Sequence, residues 1–139
     1  MHAESGSLAL LSVVLPAKIA LTALAWAGPL LLLPKRVLAA VGIPALETPP
    51  FGRLLGWAFA ALLVVYASGL RDCWAGYFPW GTVLAGIVSN GGATLAILSW
   101  DRKPAPGWSR TGRGAMLASA AAAGAVCLGL LSALLLELR

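Results

Sequence analysis

The sequence predicts an all-α fold, a membrane-spanning four-helix bundle with short loops, built as a single integral membrane domain over residues 1–139. Three observations carry that reading. The chain is 60% hydrophobic and 11% charged, whereas soluble domains average about 45 to 50% apolar and about 25% charged. Its apolar residues fall into long runs, at about 8–33, 54–70, 82–100 and 115–136, and the charged residues gather at the ends of those runs. An apolar excess of this size must face lipid, so the bilayer is the first expected partner.

A helix rises about 1.5 Å per residue and needs roughly 20 mostly apolar residues to cross the hydrocarbon core. The first run is closed by Pro34, Lys35 and Arg36 and is interrupted by Pro16 and Lys18, which would move the start of its membrane part toward Ala17. The second is opened by Arg53, closed by Arg71 and Asp72, and contains Trp57 and Tyr66. Asp101, Arg102 and Lys103 close the third before a Pro- and Gly-containing connection, and the fourth is rich in alanine. An open sheet would leave backbone groups unpaired in lipid, and these runs lack the alternation of barrel strands, so helices are the remaining solution.

Leu8 to Leu15 resembles the apolar region of a signal peptide, and Ala23-Leu24-Ala25 a small-residue cleavage site. No Lys or Arg precedes the run, however, and Lys18 lies between it and that site, so an uncleaved first span is preferred over a three-span product. Seven basic residues, Lys35, Arg36, Arg53, Arg102, Lys103, Arg110 and Arg113, lie in or beside the first and third connections. The opposite side has Arg71 and Arg139, with Lys18 if it reaches outward. This asymmetry predicts cytoplasmic first and third loops and both termini outside. Trp74, Tyr77, Phe78 and Trp80 in the second connection, and Trp100 and Trp108 around the third, read as an interfacial aromatic belt rather than a ligand platform. In the first connection Val37-Leu38-Ala39-Ala40-Val41 is weakly amphipathic before Pro44 and Pro49-Pro50, which predicts a short interfacial helix and an extended turn.

Candidate site residues are few. Asn90 lies midway along the third run, within Ser89-Asn90-Gly91-Gly92-Ala93-Thr94, and Thr94 follows one turn later on the same face. A buried amide needs partners, and paired glycines such as Gly91 and Gly92 allow close approach or local unwinding that would free carbonyls for an ion or polar headgroup. Structural glue between helices is the preferred reading, with a ligand site around Asn90, Thr94, Ser89, Gly91 and Lys18 as the alternative. Lys18 is read first as an interface anchor, because its long stem can snorkel. Glu4, Glu47, Asp72, Asp101 and Glu137 all lie outside the runs or at their edges, which argues against a proton-coupled antiporter.

For helix packing the sequence offers Gly52 and Gly56 as a GxxxG pair, and a small-residue stripe of Ala118, Ala122, Ala125, Gly129 and Ser132 in the fourth run. Such stripes favour close backbone packing within the bundle, in a homo-oligomer or against a larger membrane-protein partner. Chemistry is poorly supplied. His2 is the only histidine, so no metal site, cofactor or nucleophile-base pair is expected, and Cys73 and Cys127 are 54 positions apart, too far for a local dithiol motif. Asp101 to Arg113 reads as a solvated loop rather than a phosphate clamp. The net charge of +5 is dispersed among loop ends, which excludes the continuous basic face that nucleic-acid binding needs.

Phe78-Pro79-Trp80-Gly81-Thr82, followed by Val83-Leu84, looks like the FPxGTL opening of small bacterial fluoride channels. Gly86 stands where that pattern has its asparagine, so the likeness ends there. Leu30-Leu31-Leu32-Leu33-Pro34, Val41-Gly42-Ile43-Pro44 and Phe51-Gly52-Arg53-Leu54-Leu55-Gly56 resemble the DoxX-like group of small bacterial four-helix inner-membrane proteins over roughly the first half of the chain. That resemblance implies a multi-pass fold and allows an accessory role beside redox enzymes, without transferring any catalytic residue. The expected function is a noncatalytic accessory or assembly protein, with a small transporter or a lipid- or quinone-binding protein as the alternative.

Overall fold

The computed structural model of the chain describes residues 5–40, 49–101 and 109–139. Among these every element is helical: α1 (Ser5–Thr22), a π-helical turn (Ala23–Ala27), α2 (Gly28–Leu32), α3 (Lys35–Ala40), α4 (Pro49–Trp74), α5 (Trp80–Asp101) and α6 (Arg110–Glu137). Four stretches are long and apolar enough to cross a bilayer: Gly6–Leu32, Phe51–Trp74, Trp80–Ser99 and Arg110–Glu137. The chain is a multi-pass helical membrane protein. Val41 to Pro44, Glu47, Arg102, Lys103 and Trp108, on which parts of the loop and resemblance readings rest, lie outside the described residues.

The first span keeps one axis by changing its winding. Pro29 has no N–H, and its ring presses on the carbonyl four residues back, that of Ala25. The preceding turn is widened, and Gly28 N–H closes it by donating to Ala23 O five residues earlier. Such π turns are a recognised way of absorbing this conflict without breaking a helix. Pro16 sits within α1 with its side chain exposed, on the side away from the core.

The helices alternate in direction. Ser7 Oγ donates to Glu137 Oε2 at 2.7 Å, placing the start of α1 beside the end of α6. Leu11, Leu15, Tyr66, Cys73, Phe78, Val83, Leu130 and Ala133 form the buried cluster, so both termini and the α4–α5 turn share one end. At the other end Arg53 binds the carbonyls of Leu30, Leu31 and Leu33, the last at 3.3 Å. These are the acceptors that a helix terminus leaves unpaired, and a guanidinium there also complements the helix dipole. Gly56 lies on the same contact: a Cβ there would come within 2.9 Å of Leu31 side-chain atoms.

The helix ends explain themselves locally. After α4, Gly76 adopts φ 80°, Tyr77 N–H donates to Asp72 O and Gly76 N–H to Cys73 O, both at 3.0 Å. This paired termination requires a left-handed residue, which glycine supplies without a Cβ penalty. Ser109 starts α6, its Oγ accepting from Gly112 N–H at 2.9 Å.

Several positions differ from the sequence expectations. The helices run a few residues past the apolar runs, because charged residues at the water boundary do not stop a helix. Cys73, which follows the Arg71 and Asp72 that close the second apolar run in the sequence, is not in the connection but buried in the last turn of α4. Phe78, expected in the aromatic belt, is a core residue packed edge-on to Trp80 at 4.8 Å, whereas Trp74, Tyr77 and Trp80 face outward. The short helix expected in the first connection is α3.

Candidate functional site

Tyr66, Ser89, Asn90 and Thr94, polar residues of α4 and α5, meet inside the bundle. Tyr66 of α4 is fully buried, and its hydroxyl lies 3.0 Å from Ser89 Oγ on α5. Ser89 Oγ itself donates to Gly86 O at 3.3 Å, so the phenol is the donor of the pair. Asn90 Nδ2 donates to Gly86 O at 2.7 Å and to Tyr66 Oη at 3.3 Å, with Ser89 Oγ a weak third acceptor at 3.5 Å. The chain of donors therefore runs from amide to phenol to serine and ends on the Gly86 carbonyl. Thr94, one turn beyond, donates to Asn90 O at 2.8 Å and to Ala120 O of α6 at 3.3 Å.

Close backbones make this possible. At Gly86 a Cβ would fall 2.5 Å from Leu130 Cδ1 and 3.4 Å from the Tyr66 ring, so a side chain would occupy the space that the tyrosine uses. Gly69 is tighter, its virtual Cβ within 2.6 Å of three Thr82 side-chain atoms, and Thr82 Oγ1 donates to Val65 O at 3.1 Å. Gly91 faces Cys127 Sγ, 3.4 Å from its virtual Cβ, and that thiol donates to Ile87 O at 3.7 Å.

Lys18 joins them from the α1 side. Its Nζ lies 5.7 Å from the centroid of the Tyr66 ring, within the roughly 6 Å range of a cation–π contact. The anchor reading assumed a crossing that begins near Ala17. The helix is regular from Ser5, Leu11 and Leu15 are fully buried, and Lys18 lies midway along the apolar Gly6–Leu32 stretch. Thr22, one turn further, is 1% exposed, and its Oγ1 has no hydrogen-bond partner.

The structure thus brings together Lys18, Ser89, Asn90 and Thr94 from the sequence candidates, with Gly91 on the adjoining α6 contact. Sequence reasoning missed Tyr66 as their hub. A tyrosine inside the second apolar run was the available signal, since a phenol in oil needs a partner. It also missed Thr22, whose hydroxyl resembles many others in the spans until the structure shows it unpaired.

The packing candidates are distributed differently. Gly52 and Gly56 are both buried in α4. In α6 the buried face is Gly112, Ala120, Ala123, Leu130 and Ala133, whereas Ala118, Ala125 and Ser132 of the expected stripe face outward. Ala122 and Gly129 lie at the border, Gly129 against Val14.

Among the described residues no group of three or more His, Cys, Asp and Glu side chains converges as a metal site would require. The arrangement can bind, orient and lock helices, and its one cation could hold an anion. Compared with protein-family models, curated proteins and solved structures, the chain matches none of them.

Proposed function

We propose that this protein is a noncatalytic accessory or assembly subunit that packs, through the outer face of α6, against a second copy of itself or a larger membrane partner. The observation that carries this is a continuous exposed seam: Gly114, Ala118, Ala121, Ala125, Leu128, Ser132 and Leu135, separated alternately by four and three residues, all face outward. That alternation is the seam of a left-handed helix pair. Its small half admits a neighbouring backbone closely, and its leucine half offers knobs for a facing helix.

The intramembrane hydrogen bonds support the noncatalytic half of the reading. Asn90, Tyr66, Ser89 and Thr94 spend their donors on each other and on carbonyls, as helix-locking residues do. That internal pairing also makes transport or quinone binding at Asn90 the weaker alternative. The DoxX-like resemblance of the first half agrees with an accessory role in a bacterial inner membrane, and the distribution of Lys and Arg with both termini outside.

Cysteine placed at Ala125 in a background lacking Cys73 and Cys127 tests the seam, with crosslinking in native membranes followed by mass analysis in mild detergent. The expected product is a single crosslinked species, at twice the chain mass or at the mass of chain plus one stoichiometric subunit. A monomer under these conditions, with Ala125 no more reactive than exposed Val88 on α5, would overturn the reading.

A further inference from the structure

We propose that Lys18 and Thr22 form an intramembrane binding site for the carboxylate of a membrane-soluble acid, of which a long-chain fatty acid is the simplest. The inference goes beyond the packing role, since it concerns the inner side of α1 rather than the outer side of α6.

Lys18 is the first observation. An ammonium midway through a span is costly and is normally matched by an opposite charge. Among the described residues none pairs with Lys18: it has the Tyr66 ring face, which attracts a cation but offers no lone pair. Glu137 pairs with Ser7, about three turns of helix from Lys18, and Asp72 lies nearly two turns beyond Tyr66 on α4, exposed at the end of the helix; neither pairs with Lys18.

Thr22 is the second and independent observation. Several other hydroxyls in the spans return their proton to a carbonyl of their own helix, Ser12 to Ala9, Ser68 to Val65, Ser89 to Gly86, Thr94 to Asn90, Ser119 to Ala115 and Ser132 to Leu128, and Thr82 gives its proton to Val65 O of α4. Thr22 does not, although it is buried and the Lys18 carbonyl one turn back is the usual acceptor. A buried hydroxyl without a partner is a cost that a ligand oxygen would remove.

The two side chains are spaced for one ligand group. Residues four apart on a helix are neighbours, with about 5–6 Å between their Cβ atoms, and the Lys18–Tyr66 contact turns this side of α1 toward α4. A carboxylate has two acceptor oxygens, enough to take an ammonium proton and a hydroxyl proton together, and its charge cancels that of Lys18. Lys18 is half-buried and held only by the ring contact, so its flexible stem moves aside as the acid enters. An apolar tail suits the route, because exposed Ala17, Leu21 and Leu24 present this part of α1 to lipid. No bond is made or broken; the protein binds the acid in its ionised form.

The test uses the full chain, delipidated and reconstituted in nanodiscs of zwitterionic lipid, with palmitate as probe and native mass spectrometry and calorimetry as readouts. Palmitate is expected to bind at one per chain and hexadecanol, which lacks the charge, at least tenfold more weakly. Lys18→Met is expected to weaken palmitate at least tenfold and Thr22→Val about threefold to tenfold, whereas Arg36→Gln, a surface cation outside the spans, leaves it unchanged. Thr22→Val also removes an unpaired hydroxyl, so it is expected to keep or raise thermal stability while losing affinity, a split that misfolding does not produce. Competition by millimolar acetate would assign the same site to small carboxylates, and its absence would assign it to tailed acids. Equal binding of palmitate and hexadecanol, or undiminished palmitate binding by Lys18→Met, would overturn the proposal. Neither result bears on the α6 seam.

Discussion

Tyr66 and Ser89 face each other across α4 and α5 with 3.0 Å between their oxygens, one turn from Gly86, whose missing side chain leaves room for the Tyr66 ring. Tyr66 uses its hydroxyl toward Ser89 and Asn90 and its ring face toward Lys18, so one side chain joins three helical segments. Removing the hydroxyl while keeping the ring therefore separates two functions of the residue.

Tyr66→Phe is expected to cost about 1 kcal/mol of bundle stability, the scale of interhelical hydrogen bonds in membranes, and to leave the Lys18 contact in place. Asn90→Leu is expected to cost a similar amount, about 1 kcal/mol. Because the two share a hydrogen bond, the double variant should cost less than the sum. Unfolding in mixed detergent micelles checks this, and strict additivity would show that the 3.3 Å bond contributes nothing.

Gly69 and Gly86 look alike in sequence yet should differ on substitution. Alanine at Gly69 would strike Thr82 at its Cβ, which cannot rotate away, and would disturb the Thr82 bond to Val65; overpacking of this kind costs about 1–3 kcal/mol. Alanine at Gly86 meets the far end of Leu130, which can turn aside, so its cost should be smaller and Leu130→Val should recover part of it. Parallel unfolding of the three variants would expose a reversed order.

Arg53 should be the residue that holds the end of the first span. Arg53→Ala leaves the Leu30, Leu31 and Leu33 carbonyls without its donors, and amide exchange at Leu33, which donates to Pro29 O, should accelerate several-fold. Arg53→Lys keeps the charge but not the planar fork, so it should recover only part of the protection. Exchange unaffected by either variant would mean that the cap is not formed in the membrane.

Topology is open to labelling at Trp74, which is 75% exposed at the end of α4, whereas neighbouring Cys73 is buried. With Cys73 and Cys127 replaced by alanine, Trp74→Cys should react with a membrane-impermeant thiol reagent added to intact cells. Labelling only after lysis would place both termini in the cytoplasm and reverse the orientation read from the basic residues.

The membrane character and the four crossings were legible in the sequence, because burying charge or unpaired backbone in oil costs so much that Arg53, Arg71, Asp72 and Asp101 must mark the span ends. Asn90 and Thr94 were also visible, as polar side chains inside apolar runs. Which groups they meet was not. A helical period shows that Asn90 and Thr94 share a face, but it does not reveal that Gly86 lets Tyr66 reach them, that Pro29 forces a widened turn after Thr22, or that Lys18 comes level with Tyr66. Those facts depend on the rotation and height of one helix against another, which side-chain volume and backbone distance decide across the bundle. Local composition therefore determined what had to enter the membrane, and tertiary packing decided which polar groups were paired there and which were left over.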